Sequence, residues 1–298
     1  MLQTRLAAAA GIVFPLVLLV WLDIRFNQSQ PGLWLAPLAI IASQLACGEI
    51  VAMFQAKNLV VRSGIAHLAT FVVVATSICP MFWTNYPANC PLGKPGWALL
   101  GAALAFCVVV IAEIRRYTGP GESMAAISNT FFVVSYTGIL MTFVVLLRTL
   151  TPSNLGALAF VSTIVTVKMA DAGAYFVGRA IGKTKLAPIL SPGKTIEGAF
   201  GGMLFAFGGA ALMFYWIGPS CFDQPVKTTP LLICFLFASS LTIAGLIGDL
   251  FESMLKRESG LKDSSSWLPG LGGMLDILDS LLAAAPVSFA WWISGAIN

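Results

Sequence analysis

Residues 231–257 read LLICFLFASSLTIAGLIGDLFESMLKR, and this stretch decides the class of the fold. Its first 18 residues carry no charged side chain, and an α-helix needs about 20 mainly apolar residues to cross a bilayer. The run then ends in a charged segment that contains Asp249, Glu252, Lys256 and Arg257. This order predicts a membrane-spanning helix whose last turns leave the apolar region.

Eight further apolar runs of similar length are centred near residues 15, 44, 74, 105, 138, 167, 207 and 284. Hydrophobic residues make up 58% of the 298 residues and charged residues only 10%, whereas roughly a quarter of a soluble domain is charged. We therefore predict an all-α fold, a polytopic membrane helix bundle of about nine transmembrane helices. Within one continuous membrane domain, residues 1–150 are expected to form scaffold helices and residues 151–298 the catalytic half.

Basic residues predict the orientation, because Lys and Arg favour the cytoplasmic side of short loops. With a cytoplasmic N-terminus, twelve basic residues fall inside, four fall outside, and Lys168 lies within a span. The inside residues are Arg5, Lys57, Arg62, Arg115, Arg116, Arg179, Lys183, Lys185, Lys194, Lys256, Arg257 and Lys262, and the outside residues are Arg25, Lys94, Arg148 and Lys227. The charged segments are thus expected to face the cytoplasm, and the lack of a visible transit peptide favours a bacterial cytoplasmic membrane.

Several site classes are disfavoured by the composition. The single histidine, His67, and the absence of a Cys-x-x-Cys pair argue against zinc. The net charge of +4 is local to the cytoplasmic loops, so it suits anionic lipid or nucleotide and does not indicate nucleic-acid binding. Any metal is expected to have oxygen ligands.

Ionisable groups enter the spans after residue 160, where they are costly and usually functional. Lys168 and Asp171 are three residues apart on one helical face, which suits either an internal ion pair or a site. A polar segment follows, in which Pro192 and Gly193 predict a turn before a helix start. Ser191, Lys194, Thr195 and Glu197 in this segment suit phosphate binding at the helix N-terminus, or a helix cap formed by Thr195 with Glu197 in the first turn.

The densest constellation spans residues 248–279. Asp249, Glu252, Ser253 and Lys256 recur at i, i+3, i+4 and i+7 on one face of the eighth predicted span, and Asp276 and Asp279 share a face at the start of the ninth. Four converging carboxylates would repel one another without a cation, and oxygen-only ligands suit Mg²⁺. Lys256, Arg257 and Lys262 are then placed to neutralise phosphate oxygens.

This pattern resembles the C-terminal signature of the phosphatidate cytidylyltransferase (CDP-diacylglycerol synthase) family. The matching residues are Ser253, Lys256, Arg257, Lys262, Asp263, Ser265, Leu268, Pro269, Gly272, Gly273, Asp276 and Asp279. Two further segments of the family pattern match residues 171–179 and 191–198 in the same order. The resemblance covers roughly residues 165–285. Two positions depart from it, because Leu271 replaces the usual His and Ile277 the usual Arg.

The resemblance implies an integral membrane enzyme that makes CDP-diacylglycerol and pyrophosphate from CTP and phosphatidic acid. Asp249 and Asp276 are then the expected Mg²⁺ ligands, Asp279 supports them or binds a second ion, and Lys194 joins the other cations on the phosphates. The remaining predicted substrate-binding residues are Asp171, Ser191, Thr195, Glu197, Ser253 and Asp263. Membrane lipid is the expected surrounding, and a homodimer is compatible with the sequence.

Other functions stay open at this point. A CTP-dependent polyprenol or phytol kinase would transfer the terminal phosphoryl group instead of the nucleotidyl group. A secondary transporter would use Lys168 and Asp171 to bind a coupling ion, although no inverted repeat is visible. A catalytically inactive scaffold is the third alternative, and Leu271 and Ile277 favour it because each replaces a polar group.

Overall fold

The structure is a computed structural model that describes residues 2–26, 30–83, 86–87, 89–222, 229–261, 264–265 and 272–297, without the side chains of residues 2–10 and 12. The helices are α1 (Leu2–Arg25), α2 (Ala36–Ala56), α3 (Ser63–Ile78), α4 (Gly93–Ile114), α5 (Ser123–Val134), α6 (Leu140–Arg148), α7 (Ser153–Ile181), α8 (Ile196–Leu212), α9 (Gly218–Cys221), α10 (Leu231–Ser259) and α11 (Met274–Ile293). A short 3₁₀ turn extends α3, and π-helical turns join α5 to α6 and α8 to α9. The all-α prediction is confirmed.

Among the described residues, eight helical segments of 20–29 residues are long and apolar enough to cross a membrane. They correspond to the second through ninth predicted runs, and α1 corresponds to the first. The prediction of a polytopic helical membrane protein is therefore confirmed. The prediction is possible because a spanning segment in a bilayer must satisfy its backbone hydrogen bonds internally, which an α-helix does.

A two-stranded antiparallel hairpin was not predicted. Strand β1 (Lys185–Ala187) pairs with β2 (Ser191–Thr195) between α7 and α8. The turn expected at Pro192 and Gly193 is wrong, because both residues lie within β2 and the reversal falls at residues 188–190. Proline is tolerated in such a strand because a two-stranded hairpin has only edge strands, where a missing amide need not break a ladder.

The contacts within the chain divide it into two units. Unit 1 comprises Met1–Thr149 and Glu258–Ile277, and unit 2 comprises Leu150–Arg257 and Leu278–Asn298. The scaffold and catalytic roles assigned to residues 1–150 and 151–298 stay predictions.

Unit 1 has a core of small and β-branched side chains where α3, α4 and α5 meet, formed by Ala69, Val73, Ala105, Val109 and Val134. Two ion pairs in unit 1 join residues that are distant in sequence. Arg148 donates from Nε to Oδ2 of the fully buried Asp23 over 2.6 Å, and Arg62 makes two 2.9 Å hydrogen bonds to the Glu113 carboxylate. Hydrogen bonding to Glu113 raises the pKa of the Arg62 guanidinium above its ordinary value.

Unit 2 is built on the close packing of α7 against α8. A stripe of small residues at four-residue spacing on α8 is buried, formed by Gly198, Gly202, Ala206 and Ala210. A Cβ at Gly202 would lie 2.9 Å from the carbonyl oxygen of Ala170 on α7, so only small residues permit this approach.

Helices α10 and α11 approach each other in the same way. A Cβ at Gly248 on α10 would overlap the backbone carbonyl of Asp279 on α11. The glycine therefore lets the two backbones come close at the position where both helices carry acidic side chains. Further along, the indole of Trp291 on α11 donates to Ser240 Oγ on α10 over 2.8 Å.

Candidate functional site

Three carboxylates of unit 2 form a cluster. Asp249 and Glu252 come from one face of α10 and Asp279 from the first turns of α11, and one oxygen of each lies within 4.8 Å of the others. Glu252 is 1% exposed and Asp279 6% exposed. Such a close group of acids under low exposure requires positive charge nearby, because like charges at this separation disfavour joint ionisation.

Two lysines supply part of that charge. Lys256 Nζ lies 2.7 Å from Glu252 Oε2 on the same helix, and Lys194 Nζ lies 2.6 Å from Asp249 Oδ2. Lys194 reaches the acids because β2 carries it, so the hairpin is the element that delivers this cation. Ser253, one turn after Asp249, makes a long 3.5 Å hydrogen bond to its Oδ1.

The Lys168–Asp171 pair on α7 belongs to the same electrostatic group. Lys168 Nζ lies 3.2 Å from Asp171 Oδ2, which confirms the ion pair, and Asp171 interacts electrostatically with both Asp249 and Lys194. Among the described residues, the ion pairs of this group bring carboxylates together with three ammonium groups, those of Lys168, Lys194 and Lys256. Oxygen-only ligands such as these carboxylates fit a hard divalent cation such as Mg²⁺.

The described hydrogen bonds of Asp276 join it to residues of unit 1. Its Oδ2 accepts hydrogen bonds from Ser264 N at 3.0 Å, from Ser264 Oγ at 2.5 Å and from Gly273 N at 2.7 Å. Asp276 is the third residue of α11, so its bond to the amide before the helix is that of a capping box. Asp276 and Asp279 do lie in the first two turns of one helix, as predicted. The assignment of Asp276 as a metal ligand stays a prediction.

Glu49 is a further functional candidate, and its contacts were not predicted from the sequence. This side chain of α2 is 7% exposed, and it accepts hydrogen bonds from Met274 N and Leu275 N, both at 2.8 Å, and from Ser264 Oγ at 2.9 Å. The only signal in the sequence is a lone acid near the end of an apolar run. Nothing in that pattern points to residues more than 200 positions away.

The segment before α8 forms the expected cap. Thr195 precedes the helix and its Oγ1 accepts from Gly198 N at 3.1 Å, so the capping prediction is confirmed. Glu197 lies in the first turn and accepts from Thr184 N at 3.1 and 3.2 Å. Ser191 is half-buried in β2, five residues before the helix. Phosphate binding by this segment stays a prediction.

The remaining predicted residues divide into two groups. Arg257 is described at the end of α10, where its Nε donates to the carbonyl of Leu190 over 3.4 Å in an exposed position. Ile277 lies in the first turn of α11. The predictions for Lys262 and Asp263, and the motif positions Leu268, Pro269 and Leu271, lie outside the described residues.

Comparison with known proteins gives a consistent result. A family model described as "Cytidylyltransferase family" matches residues 3–293. The chain is similar to a phosphatidate cytidylyltransferase from Pseudomonas aeruginosa, with 45% identity over 45% of this chain and 48% of the relative. It is also similar to the enzymes of that name from Haemophilus influenzae, with 49% identity over 41% of each chain, and from Helicobacter pylori, with 29% identity over 83% of this chain and 79% of the relative. The chain thus spans less than half the length of the first two relatives.

Proposed function

The chain belongs to the cytidylyltransferase family, and from this premise we propose that it is an integral membrane phosphatidate cytidylyltransferase. It makes CDP-diacylglycerol and pyrophosphate from CTP and phosphatidic acid, a step of phospholipid biosynthesis. The observation that carries this proposal is the cluster of Asp249, Glu252 and Asp279 with Lys194 and Lys256 at the end of membrane-length helices. Such a cluster suits a reaction in which two anionic phosphates must be brought together.

The chemistry is a nucleotidyl transfer. A phosphate oxygen of phosphatidic acid forms a bond to the α-phosphorus of CTP, and the bond between the α-phosphorus and the bridging oxygen breaks to release pyrophosphate. The attacking oxygen is already anionic, so no strong general base is needed. The protein's task is to align the two phosphates and to neutralise their charge.

The residues expected from the sequence suit these tasks. Lys194 and Lys256, together with Arg257 and Lys262, contact phosphate oxygens and neutralise charge on the leaving pyrophosphate. The other polar groups shape the pocket for the two substrates. These are Asp171, Ser191, Thr195, Glu197, Ser253 and Asp263.

A magnesium ion fits the acidic cluster, where Asp249 and Asp279 would hold it and Glu252 lies beside them. Asp276, whose described hydrogen bonds lie in unit 1, stays a ligand expected from the sequence, and a role for Asp279 at a second ion is the alternative. When bound, Mg²⁺ would polarise phosphoryl oxygens and offset their charge. Glu252 was not among the ligands expected from sequence, although its position three residues after Asp249 places it on the same face.

The reaction takes place at the cytoplasmic surface of a bacterial inner membrane in this proposal. The excess of basic residues on the predicted inner loops supports this orientation, and the relatives named above are bacterial. Phosphatidic acid stays in the bilayer, whereas CTP arrives from the aqueous phase. The homodimer stays a prediction, which the mass of the purified protein in detergent decides.

The test follows the fate of two labels. Purified full-length protein in mixed micelles receives phosphatidic acid, Mg²⁺ and CTP labelled at either the α- or the γ-phosphorus. We expect the α-label in the lipid product, the γ-label in pyrophosphate, and loss of both with Asp276→Asn although that variant still inserts. Transfer of the γ-label to a polyprenol or phytol substrate would indicate a lipid kinase, and inactive but well-folded wild type would contradict the proposal.

A further inference from the structure

The start of α11 has an unusual cap. The first amides of any helix lack partners within the helix, and a side chain just before the helix usually accepts from them. The residue before α11 is Gly273, which has no side chain to do so. Two of these amides, on Met274 and Leu275, donate instead to the carboxylate of Glu49 on α2.

The lack of a side chain at Gly273 leaves the space that this carboxylate occupies. A Cβ at Gly273 would overlap the Oε1 atom of Glu49 and the Oγ atom of Ser264. Any other residue would therefore displace the acid that caps the helix. Glu49 therefore serves as the N-terminal cap of α11, in place of the capping side chain that Gly273 lacks.

Ser264 connects this cap to Asp276. Its Oγ lies 2.9 Å from Glu49 Oε2 and 2.5 Å from Asp276 Oδ2, and its backbone amide also donates to Asp276 Oδ2. A serine hydroxyl has one proton, so the two carboxylates share a single donor. The direction of the Asp276 carboxylate therefore depends on where Glu49 holds Ser264.

We propose that Glu49 is a positioning residue, which anchors the first turn of α11 and, through Ser264, sets the orientation of the Asp276 carboxylate. Glu49 acts through Asp276, so it needs no contact with substrate. The same helix continues from Asp276 to Asp279, so a shift of its first turn alters both acids. The catalytic consequence rests on the proposed function, whereas the anchoring of α11 does not.

A matched control lies in the same unit. Glu113 is also a buried acid, 4% exposed, but it is paired with Arg62 and makes no described contact with α11. Glu49→Gln and Glu113→Gln each replace one carboxylate by an amide of the same shape. In Glu49→Gln the amide nitrogen is a donor that faces other donors, so the cap is weakened without a change of volume.

The experiment measures CDP-lipid formation and hydrogen exchange of the full-length protein and both variants. For Glu49→Gln we expect kcat to fall by about 10- to 100-fold, as for other residues that orient acidic ligands, with KM for CTP changed less than about threefold. Exchange should become faster in a peptide covering residues 272–279. Glu113→Gln should leave kcat per folded molecule and this exchange unchanged, even if it unfolds at a lower temperature.

A double variant adds a second criterion. Ser264→Ala removes the shared hydroxyl, so Glu49→Gln combined with Ser264→Ala should lose less activity than the two separate losses multiplied together. A kcat for Glu49→Gln within twofold of an active wild type would overturn the catalytic part of the proposal. Wild type without activity would defeat the proposed function. Hydrogen exchange at residues 272–279 would then test the anchoring of α11 alone. Exchange in Glu49→Gln equal to that of wild type would contradict the anchoring.

Discussion

The acidic side chains of the two units have different kinds of partner. In unit 1, Asp23 and Glu113 are each matched by one arginine, through a 2.6 Å bond from Arg148 and two 2.9 Å bonds from Arg62. In unit 2, Asp249, Glu252 and Asp279 lie together with lysines as partners. The first arrangement pairs each acid with one guanidinium, and the second groups three carboxylates with two described lysine partners.

The difference separates structural charge from chemical charge. Arginine binds a carboxylate through a rigid fork and keeps its proton, which suits a permanent internal pair. Lysine is a flexible point charge that can leave a carboxylate for a phosphate oxygen. A cluster of mutually repelling acids gains stability when a metal ion or another cation binds, so the unit 2 arrangement suits binding and turnover.

The largest effect is expected in unit 2. Asp279→Asn should reduce turnover on the order of 10³-fold, because the loss of one carboxylate weakens the site where charge is neutralised. Removal of one of three mutually repelling charges should not lower the free energy of unfolding in metal-free detergent. Rates and thermal unfolding of the same preparations test this pair of results. Retention of more than about a tenth of wild-type turnover, or a clear loss of stability, would contradict the assignment.

The converse is expected in unit 1. Asp23→Asn leaves Arg148 buried without its counter-ion, and breaking such a pair costs about 3–5 kcal/mol of folding free energy. Turnover per folded molecule should stay within about twofold of wild type, since Asp23 serves the fold. Denaturant unfolding and active-site-normalised rates check this. If Asp23→Asn unfolds at the same denaturant concentration as wild type, the structural role assigned to the Asp23–Arg148 pair is contradicted.

A smaller effect is expected for Lys168, which we propose compensates for the cation that is lost with Ile277 and Leu271. Lys168→Met should lower kcat/KM for phosphatidic acid by about tenfold, the effect of one charged contact to phosphate. Lys168→Arg is the matched control and should keep most of the rate because it keeps the charge. Equal rates and substrate affinities for Lys168→Met and wild type would exclude the compensation.

Much of the fold was predictable because the bilayer imposes a simple rule. Apolar runs of the right length become spanning helices, and helical periodicity then places Asp249 and Glu252 on one face of α10 and Asp276 and Asp279 on one face of α11. The Thr195 cap was predictable for the same reason, since its partner is three residues away. Local spacing is enough for contacts of this kind.

Contacts between distant segments were not predictable from one chain. The bonds from Met274 and Leu275 to Glu49 join residues 225 and 226 positions apart, and no local periodicity encodes them. The delivery of Lys194 by a hairpin was missed for another reason. Pro192-Gly193 is a common turn signal, but here the pair lies in a short strand that has no central ladder to break.

The most direct test of the reaction centre measures Mn²⁺ binding to the purified full-length protein in detergent. Mn²⁺ is the probe for Mg²⁺, and electron paramagnetic resonance detects the bound ion. We predict saturable binding by wild type, loss of that binding in both Asp249→Asn and Asp279→Asn, and unchanged binding in Glu113→Gln. Binding that survives both aspartate substitutions, or no saturable binding to well-folded wild type, would contradict a cation-dependent centre at this cluster.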